Sequence, residues 1–168
     1  MSSNEEVAVD HHDGLELAER VAGTDLTDVD ASTLVGMVNS APREQLDAAF
    51  ADETLRERLL AEIFRRMSSH VRADKVRDLH AVVRWRLTGG RGEGGYDRYE
   101  CTLADGKCTV SRQMSDRPRV TITVSPADFV RLISRQTTPA ELYVTGKIKV
   151  KGDLGFAAGL IGYFDLPK

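Results

Sequence analysis

The segment TGKIKVKGDLGFAAGLIGYF, residues 145–164, constrains the fold more than any other stretch of the chain. Its first part alternates, with lysines at 147, 149 and 151 and aliphatic residues at 148 and 150. That pattern reads as a strand with one dry face. Gly152 and Asp153 interrupt it, and no charge occurs from Leu154 to Phe164. Asp153 stands where a helix over that run needs an N-cap. A surface helix keeps a polar face, and this one has almost none. It is a helix buried in the core or in a dimer interface, or a lid over an apolar ligand cavity; periodicity alone leaves these open. Glycines at 155, 159 and 162, each costing about 1 kcal/mol in a helix relative to alanine, imply close approach, mobility or fraying.

The rest of the chain gives this segment its partners. AVVRWRLT (81–88) sets Val83, Trp85 and Leu87 against Arg84 and Arg86. YDRYECTLADGKCTVSRQM reads as a hairpin turning at Asp105-Gly106, with Cys101, Leu103, Cys108 and Val110 on its dry face. RVTITV (119–124) alternates through Val120, Ile122 and Val124. Ser125-Pro126 and Thr138-Pro139 each pair an N-cap with a proline at the first helical position, opening PADFVRLISR and PAELY. Upstream, TLRERLLAEIFRRMSSHV places Leu55, Leu59, Ile63 and Met67 four residues apart, with Leu60 and Phe64 widening the stripe; Asp52 or Thr54 caps it. Pro42 opens PREQLDAAF, and residues 14–40 carry weaker helical signals. This order predicts an α+β fold: a five-stranded, mainly antiparallel sheet, helices covering one face, the other face wet, and a helical N-terminal extension. Residues 1–50 are expected to form that acidic, partly disordered extension, and residues 51–168 the sheet-bearing domain.

Charge divides the same way. Residues 1–62 hold 15 acidic and 4 basic residues, and residues 63–168 hold 11 and 19. This is an acidic appendage on a mildly basic domain, or two parts that attract each other. No apolar run approaches the roughly 20 residues of a membrane span. The start, MSSNEEVAVDHHDG, lacks the apolar core of a secretory signal, so a cytoplasmic location is expected. Cys101 and Cys108 fall diagonally across the hairpin, at about 7–8 Å, too far for an unstrained bridge; two buried free thiols are expected.

Catalysis finds little support. GGRGEGG (89–95) lacks the GK[ST] ending of a phosphate loop and joins two strands, so it reads as a flexible hairpin loop. There is no nucleophile elbow. The cysteines form no zinc spacing with a histidine; His11 and His12 fall in the tail, and His80 has no visible orienting partner. No catalytic residue, metal or cofactor is expected. The outward cations Arg84, Arg86, Lys147, Lys149 and Lys151 lack the interleaved aromatics of a nucleic-acid platform. They read as a solvated face, with weak contact to an anionic membrane surface as a further use, and no nucleic acid is expected as partner.

TPAELYVTGKIKVKGDLGFAAGL resembles the C-terminal signature of the sterol carrier protein-2-like family, matching at Gly146, Lys147, Ile148, Lys149, Val150, Gly152 and Asp153. AVVRWRLTGG with YDRYECTLADGKCTVSRQ is similar to that family's first three strands, and RVTITVSPADFVRLISRQ to its strand-plus-helix element. The resemblance covers about residues 55–166. It implies a five-stranded sheet covered by helices, an apolar tunnel between them, and binding or transfer of sterols, fatty acyl chains or other lipids without covalent chemistry. The acidic extension, the GGRGEGG loop and the DLPK end, which is no peroxisomal signal, depart from the family pattern and suit a bacterial member. The tunnel lining expected on this reading is Trp85, Leu87, Cys101, Leu103, Val110, Phe129, Ile133, Ile148, Val150, Phe156 and Leu160. Trp85 N–H or Gln136 would supply polar selection, and the final helix would swing to admit the ligand. Two other functions fit the same residues: an accessory enzyme or pathway partner holding a hydrophobic substrate, and a homodimeric interaction module without a cavity.

Overall fold

The structure, a computed structural model, describes residues 17–115 and 117–165. The expected disordered tail with His11 and His12, and the last residues Leu166-Pro167-Lys168, lie outside the described residues. The chain divides into two compact units, Met1–Glu62 and Ile63–Lys168.

The first unit is helical. After a helical stretch at residues 17–22, Asp30 caps α1 (Ala31–Ser40), its Oδ1 accepting from the Thr33 amide at 2.7 Å. Pro42 precedes α2 (Arg43–Ala51). Asp52, not Thr54, caps α3 (Glu53–Ser69), accepting from the Leu55 amide at 3.0 Å. Within this unit Arg58 donates to the Thr24 carbonyl at 2.7 Å. The boundary between the units falls inside α3.

After the short α4 (Ala73–Val76), the second unit builds five strands: β1 (His80–Thr88), β2 (Tyr96–Ala104), β3 (Lys107–Ser111), β4 (Val120–Val124) and β5 (Ile148–Gly152). Their order is β3-β2-β1-β4-β5. All neighbours are antiparallel except β1 and β4. The hairpin turns at Asp105 and Gly106, both with positive φ (54° and 76°), which is what a two-residue Asp-Gly turn requires. It pairs Leu103 with Cys108 and Cys101 with Val110, as the alternation predicts.

The parallel pair has a consequence that alternation did not reveal. To pass from edge strand β3 to β4, the connection must cross β2 and β1. Ser115 donates to both Glu100 carboxylate oxygens at 3.0 Å, and its carbonyl accepts from Arg84. Arg84 in turn pairs with Glu100 at 3.4 Å. Glu100 and Thr121 are buried in consequence, so the face expected to be wet is partly roofed by this connection.

The opposite face carries α5 (Pro126–Ile133), α6 (Pro139–Val144) and α7 (Leu154–Gly159), followed by a 3-10 turn, Leu160–Tyr163. Ser125, Thr138 and Asp153 cap the three helices, accepting from the amides of Asp128, Glu141 and Phe156 at 3.1, 3.1 and 2.9 Å. The run that lacked a polar stripe resolves simply. Apart from Leu154, its exposed positions are Gly155, Ala158, Gly159 and Gly162, small rather than polar. Phe156, Ala157, Leu160 and Phe164 turn inward.

Candidate functional site

Val150, Ile122, Trp85 and Tyr99 stand in one row across β5, β4, β1 and β2 on the helix-covered face. The two ends of that row differ. Over β1 and β2, Phe64 stacks on Tyr99 (centroids 4.1 Å apart) and on Phe129 (5.0 Å), and Trp85 packs against Phe129 at 4.9 Å. Over β4 and β5 lies a cavity of about 220 Å³. Trp85, Ile122, Leu132, Ile148, Ala157 and Leu160 form its buried floor. Pro139, Val150 and Ile161 line its sides, and the exposed Ala140, Tyr143, Leu154 and Ala158 form its rim. The Tyr143 hydroxyl and the Trp85 N–H are the polar side-chain groups among these residues. Ala140, Ala157 and Ala158 stand where longer side chains would close the space.

Of the lining expected from the sequence, Trp85, Ile148, Val150 and Leu160 meet at this cavity. Phe129 lies in the aromatic stack beside it. Leu87, Cys101 and Leu103 are buried in the sheet away from it, and Val110, on edge strand β3, is half-buried. Ile133 is half-buried at the end of α5. Phe156 faces the Arg119 guanidinium, 4.3 Å from its ring, and Tyr163. The sequence reading left out Ile122, Leu132, Pro139, Ala140, Tyr143, Leu154, Ala157, Ala158 and Ile161. One signal was available for part of this set. Leu154, Ala157, Ala158 and Ile161 recur at i, i+3, i+4 and i+7, the spacing of one helical face.

The two expected polar selectors fall in different places: Trp85 lies in the cavity floor, and Gln136 is not among the lining residues. Trp85 Nε1 is buried without a hydrogen-bond partner and bears on the Cys101 thiol of β2. Gln136 is exposed and accepts from Arg131 at 2.9 Å. Both cysteines are free, Cys101 buried and Cys108 half-buried. No bridge joins them, as the diagonal spacing predicts, and hydrogen bonding to Cys108, reinforced by burial, raises the Cys101 pKa well above that of an ordinary thiol.

The Gly-Asp pair that ends β5 fixes the cavity wall. Gly152 has φ 111°, and a Cβ there would run into the Arg119 carbonyl. That close approach lets the Asp153 amide donate to the same carbonyl at 3.1 Å, while Arg119 Nε donates to Asp153 Oδ2 at 3.1 Å. The Asp153 carboxyl, held by the Phe156 amide and then by Arg119, has its pKa pulled below the usual carboxylate value. At the other end Phe164 bridges to Val71, and the Asp165 amide donates to the His70 carbonyl at 2.7 Å. Both ends of the final helical segment are therefore tied, one to Arg119 and the other to His70 and Val71.

With this geometry in hand, comparison with known proteins is specific. The profile of the SCP-2 sterol transfer family matches residues 60–165. Hydroxysteroid dehydrogenase-like protein 2 of Xenopus tropicalis is 26% identical over 102 residues, covering 60% of this chain and 24% of that one. The chain thus spans about a quarter of that relative's length. Among solved structures, sterol carrier protein 2 of Yarrowia lipolytica in its apo form covers 54% of this chain and 69% of its own, with 23% identity and a TM-score of 0.43. The sec-alkylsulfatase Pisa1 of Pseudomonas sp. covers 90% of this chain and 30% of its own, with 14% identity and a TM-score of 0.57. That likeness of fold reaches N-terminal of the matched residues. A five-stranded sheet roofed by helices, a Gly-Asp anchor at the end of β5 and a family match over most of the chain lead to one assignment: the chain belongs to the SCP-2 sterol transfer family.

Proposed function

We propose that this protein binds and carries a hydrophobic ligand, a fatty acyl chain, a sterol-like molecule or another lipid, in the cavity over β4 and β5, without covalent chemistry. The observation that supports this most is the cavity itself: its lining carries no charged side chain, and its floor is buried. An apolar cavity of about 150 Å³ stays dry and accepts benzene. The ~220 Å³ here takes a somewhat larger hydrocarbon segment, and a longer ligand extends through the rim. Hiding roughly 300 Å² of apolar surface gains about 7–8 kcal/mol, and association takes back several. Micromolar affinity and loose selectivity follow, since apolar burial is non-directional, and a carrier must release its cargo. Weak contact with an anionic membrane surface belongs to the same proposal, supported by the exposed Lys147, Lys149 and Lys151. The two free thiols suit a reducing cytoplasm. No helix among the described residues is long and apolar enough to cross a membrane.

Trp85 is the only tryptophan of the chain and lies in the cavity floor, so its fluorescence tests the reading. Titrating delipidated full-length protein with spin-labelled fatty acids and sterols should give saturable quenching, with native mass spectrometry showing one lipid bound. Fluorescence that stays flat across fatty acids, sterols and phospholipids would end the carrier proposal. A second reading is favoured by the partial coverage of the longer dehydrogenase-like and sulfatase chains: the same cavity presents a hydrophobic substrate to an enzyme that acts on it.

A further inference from the structure

The large apolar side chains left exposed among the described residues gather at one place. They are Tyr143 (49% exposed), Val144 (84%) and Leu154 (49%). Tyr143 and Leu154 belong to the cavity rim, and Val144 is the last residue of α6 beside them. This position is held rather than frayed. Gly146, at φ 73°, lets its amide donate to the Tyr143 carbonyl at 3.1 Å and the Lys147 amide to the Leu142 carbonyl at 2.8 Å. That is the paired stop that ends a helix on glycine, and it keeps Tyr143 and Val144 outward at the end of a capped helix.

Cations flank this knuckle. Lys147 follows it directly, and Lys149 and Lys151 lie on β5, the edge strand whose other face lines the cavity through Ile148 and Val150. All three lysines are exposed, and none pairs with a carboxylate among the described residues. The nearby acids are engaged: Asp153 with Arg119, and Glu141 as acceptor from the Thr137 hydroxyl at 2.9 Å. An apolar tip beside unpaired lysines matches a membrane that offers acyl chains below and negative headgroups at its surface. A second copy of this chain fits less well. It would set like charges together, and a stable interface takes about 20–30 residues a side.

We propose that the apolar knuckle formed by Val144 with the rim residues Tyr143 and Leu154, and Lys147, Lys149 and Lys151 beside it, is the surface by which this protein docks on an anionic bilayer, and that ligand passes there between acyl layer and cavity without crossing water. The inference rests on the carrier reading for its second half only. Docking itself is independent of cargo.

The test uses full-length protein, vesicles of phosphatidylcholine alone or with phosphatidylserine, and the variants Val144→Asp and Lys147→Glu/Lys149→Glu. Wild type should co-sediment with the phosphatidylserine vesicles and weakly with the neutral ones. Each variant should lower that binding about tenfold or more and slow transfer of a fluorescent fatty acid between vesicles to a similar degree. Trp85 quenching by monomeric spin-labelled fatty acid should stay as in wild type, which also certifies the fold. Vesicle binding that ignores phosphatidylserine, or that survives both variants, overturns the docking surface while intact quenching keeps the carrier reading. Quenching that is absent while docking obeys both variants sinks the carrier reading and leaves the surface standing. A concentration-dependent dimer that Val144→Asp dissociates, without any vesicle binding, assigns the rim to a second copy and overturns the proposal.

Discussion

The two ends of the helix-covered face belong to one sheet and share its register and alternation, yet one is filled and the other hollow. Over β1 and β2, Trp85, Tyr99, Phe129 and Phe64 meet at ring-centroid distances of 4.1–5.0 Å. Over β4 and β5 the sheet offers Ile122, Ile148 and Val150, and the helices above answer with Ala140, Ala157 and Ala158. The difference lies in side-chain volume on both layers: the sheet gives Trp85 and Tyr99 at one end against Ile122, Ile148 and Val150 at the other, and the roof gives Phe64 and Phe129 against Ala140, Ala157 and Ala158. Trp85 belongs to both ends, with one neighbour in the stack and its own place in the cavity floor. The packed end gives the unit a rigid reference, against which the small residues of the other end hold a space open.

The largest effect that would break this contrast is expected at the packed end. Phe64 is 1% exposed and touches two rings, so Phe64→Ala should cost about 3–5 kcal/mol of unfolding free energy, read by chemical denaturation, while saturable quenching of Trp85 by fatty acid persists. A cost below about 1 kcal/mol, the range of an ordinary surface change, would mean that this end is no better packed than the other.

The hollow end should show the reverse balance. Ala157→Leu adds volume where the structure has room, so stability should change by no more than about 1 kcal/mol. Ligand affinity should fall at least about tenfold, equivalent to ~1.4 kcal/mol, in the Trp85 titration. Unchanged affinity with the longer side chain in place would put the ligand somewhere other than this cavity.

These two residues also mark how far the sequence could be read. Local chemistry was legible. Asp105-Gly106 dictated its hairpin register, and Ser125, Thr138 and Asp153 announced three helix starts, because each of those signals is complete within four residues. Alternation separated the dry face from the other, and so brought Trp85, Ile148 and Val150 to the right side of the sheet. Location along that face was not legible. It depends on β4 lying parallel beside β1, a long-range choice that also brings Ser115 over the far face. A hollow is also marked by what is missing. Phe156 drew notice by its size, yet the phase set by the Asp153 cap turns it toward Arg119 and aims Ala157 and Ala158 at the space. The helical period of Leu154, Ala157, Ala158 and Ile161 was present in the sequence, but nothing in composition says that alanines on a buried stripe leave room rather than admit a neighbouring backbone.

The smallest expected effect concerns how the hollow end keeps its wall. Asp153 has a lowered pKa because its carboxylate accepts from the Phe156 amide and pairs with Arg119. A carboxyl whose folded pKa is depressed contributes stability that is complete above its unfolded pKa and is lost as pH falls through the folded one. The group is exposed, so solvent screens the pair and the global change is slight. Local protection is the sensitive readout. The protection factor of the Phe156 amide should hold from neutral pH down to the ordinary carboxylate range and then drop on further acidification. In Asp153→Asn, which can still cap but can neither titrate nor pair with Arg119, it should start lower and lack that acid step. The amides of Tyr99 and Phe129, at the packed end, should show neither difference. An acid step of equal size at Phe156 in wild type and variant would show that the wall is not held by this carboxylate, and the two ends would then differ in filling but not in how they are fastened.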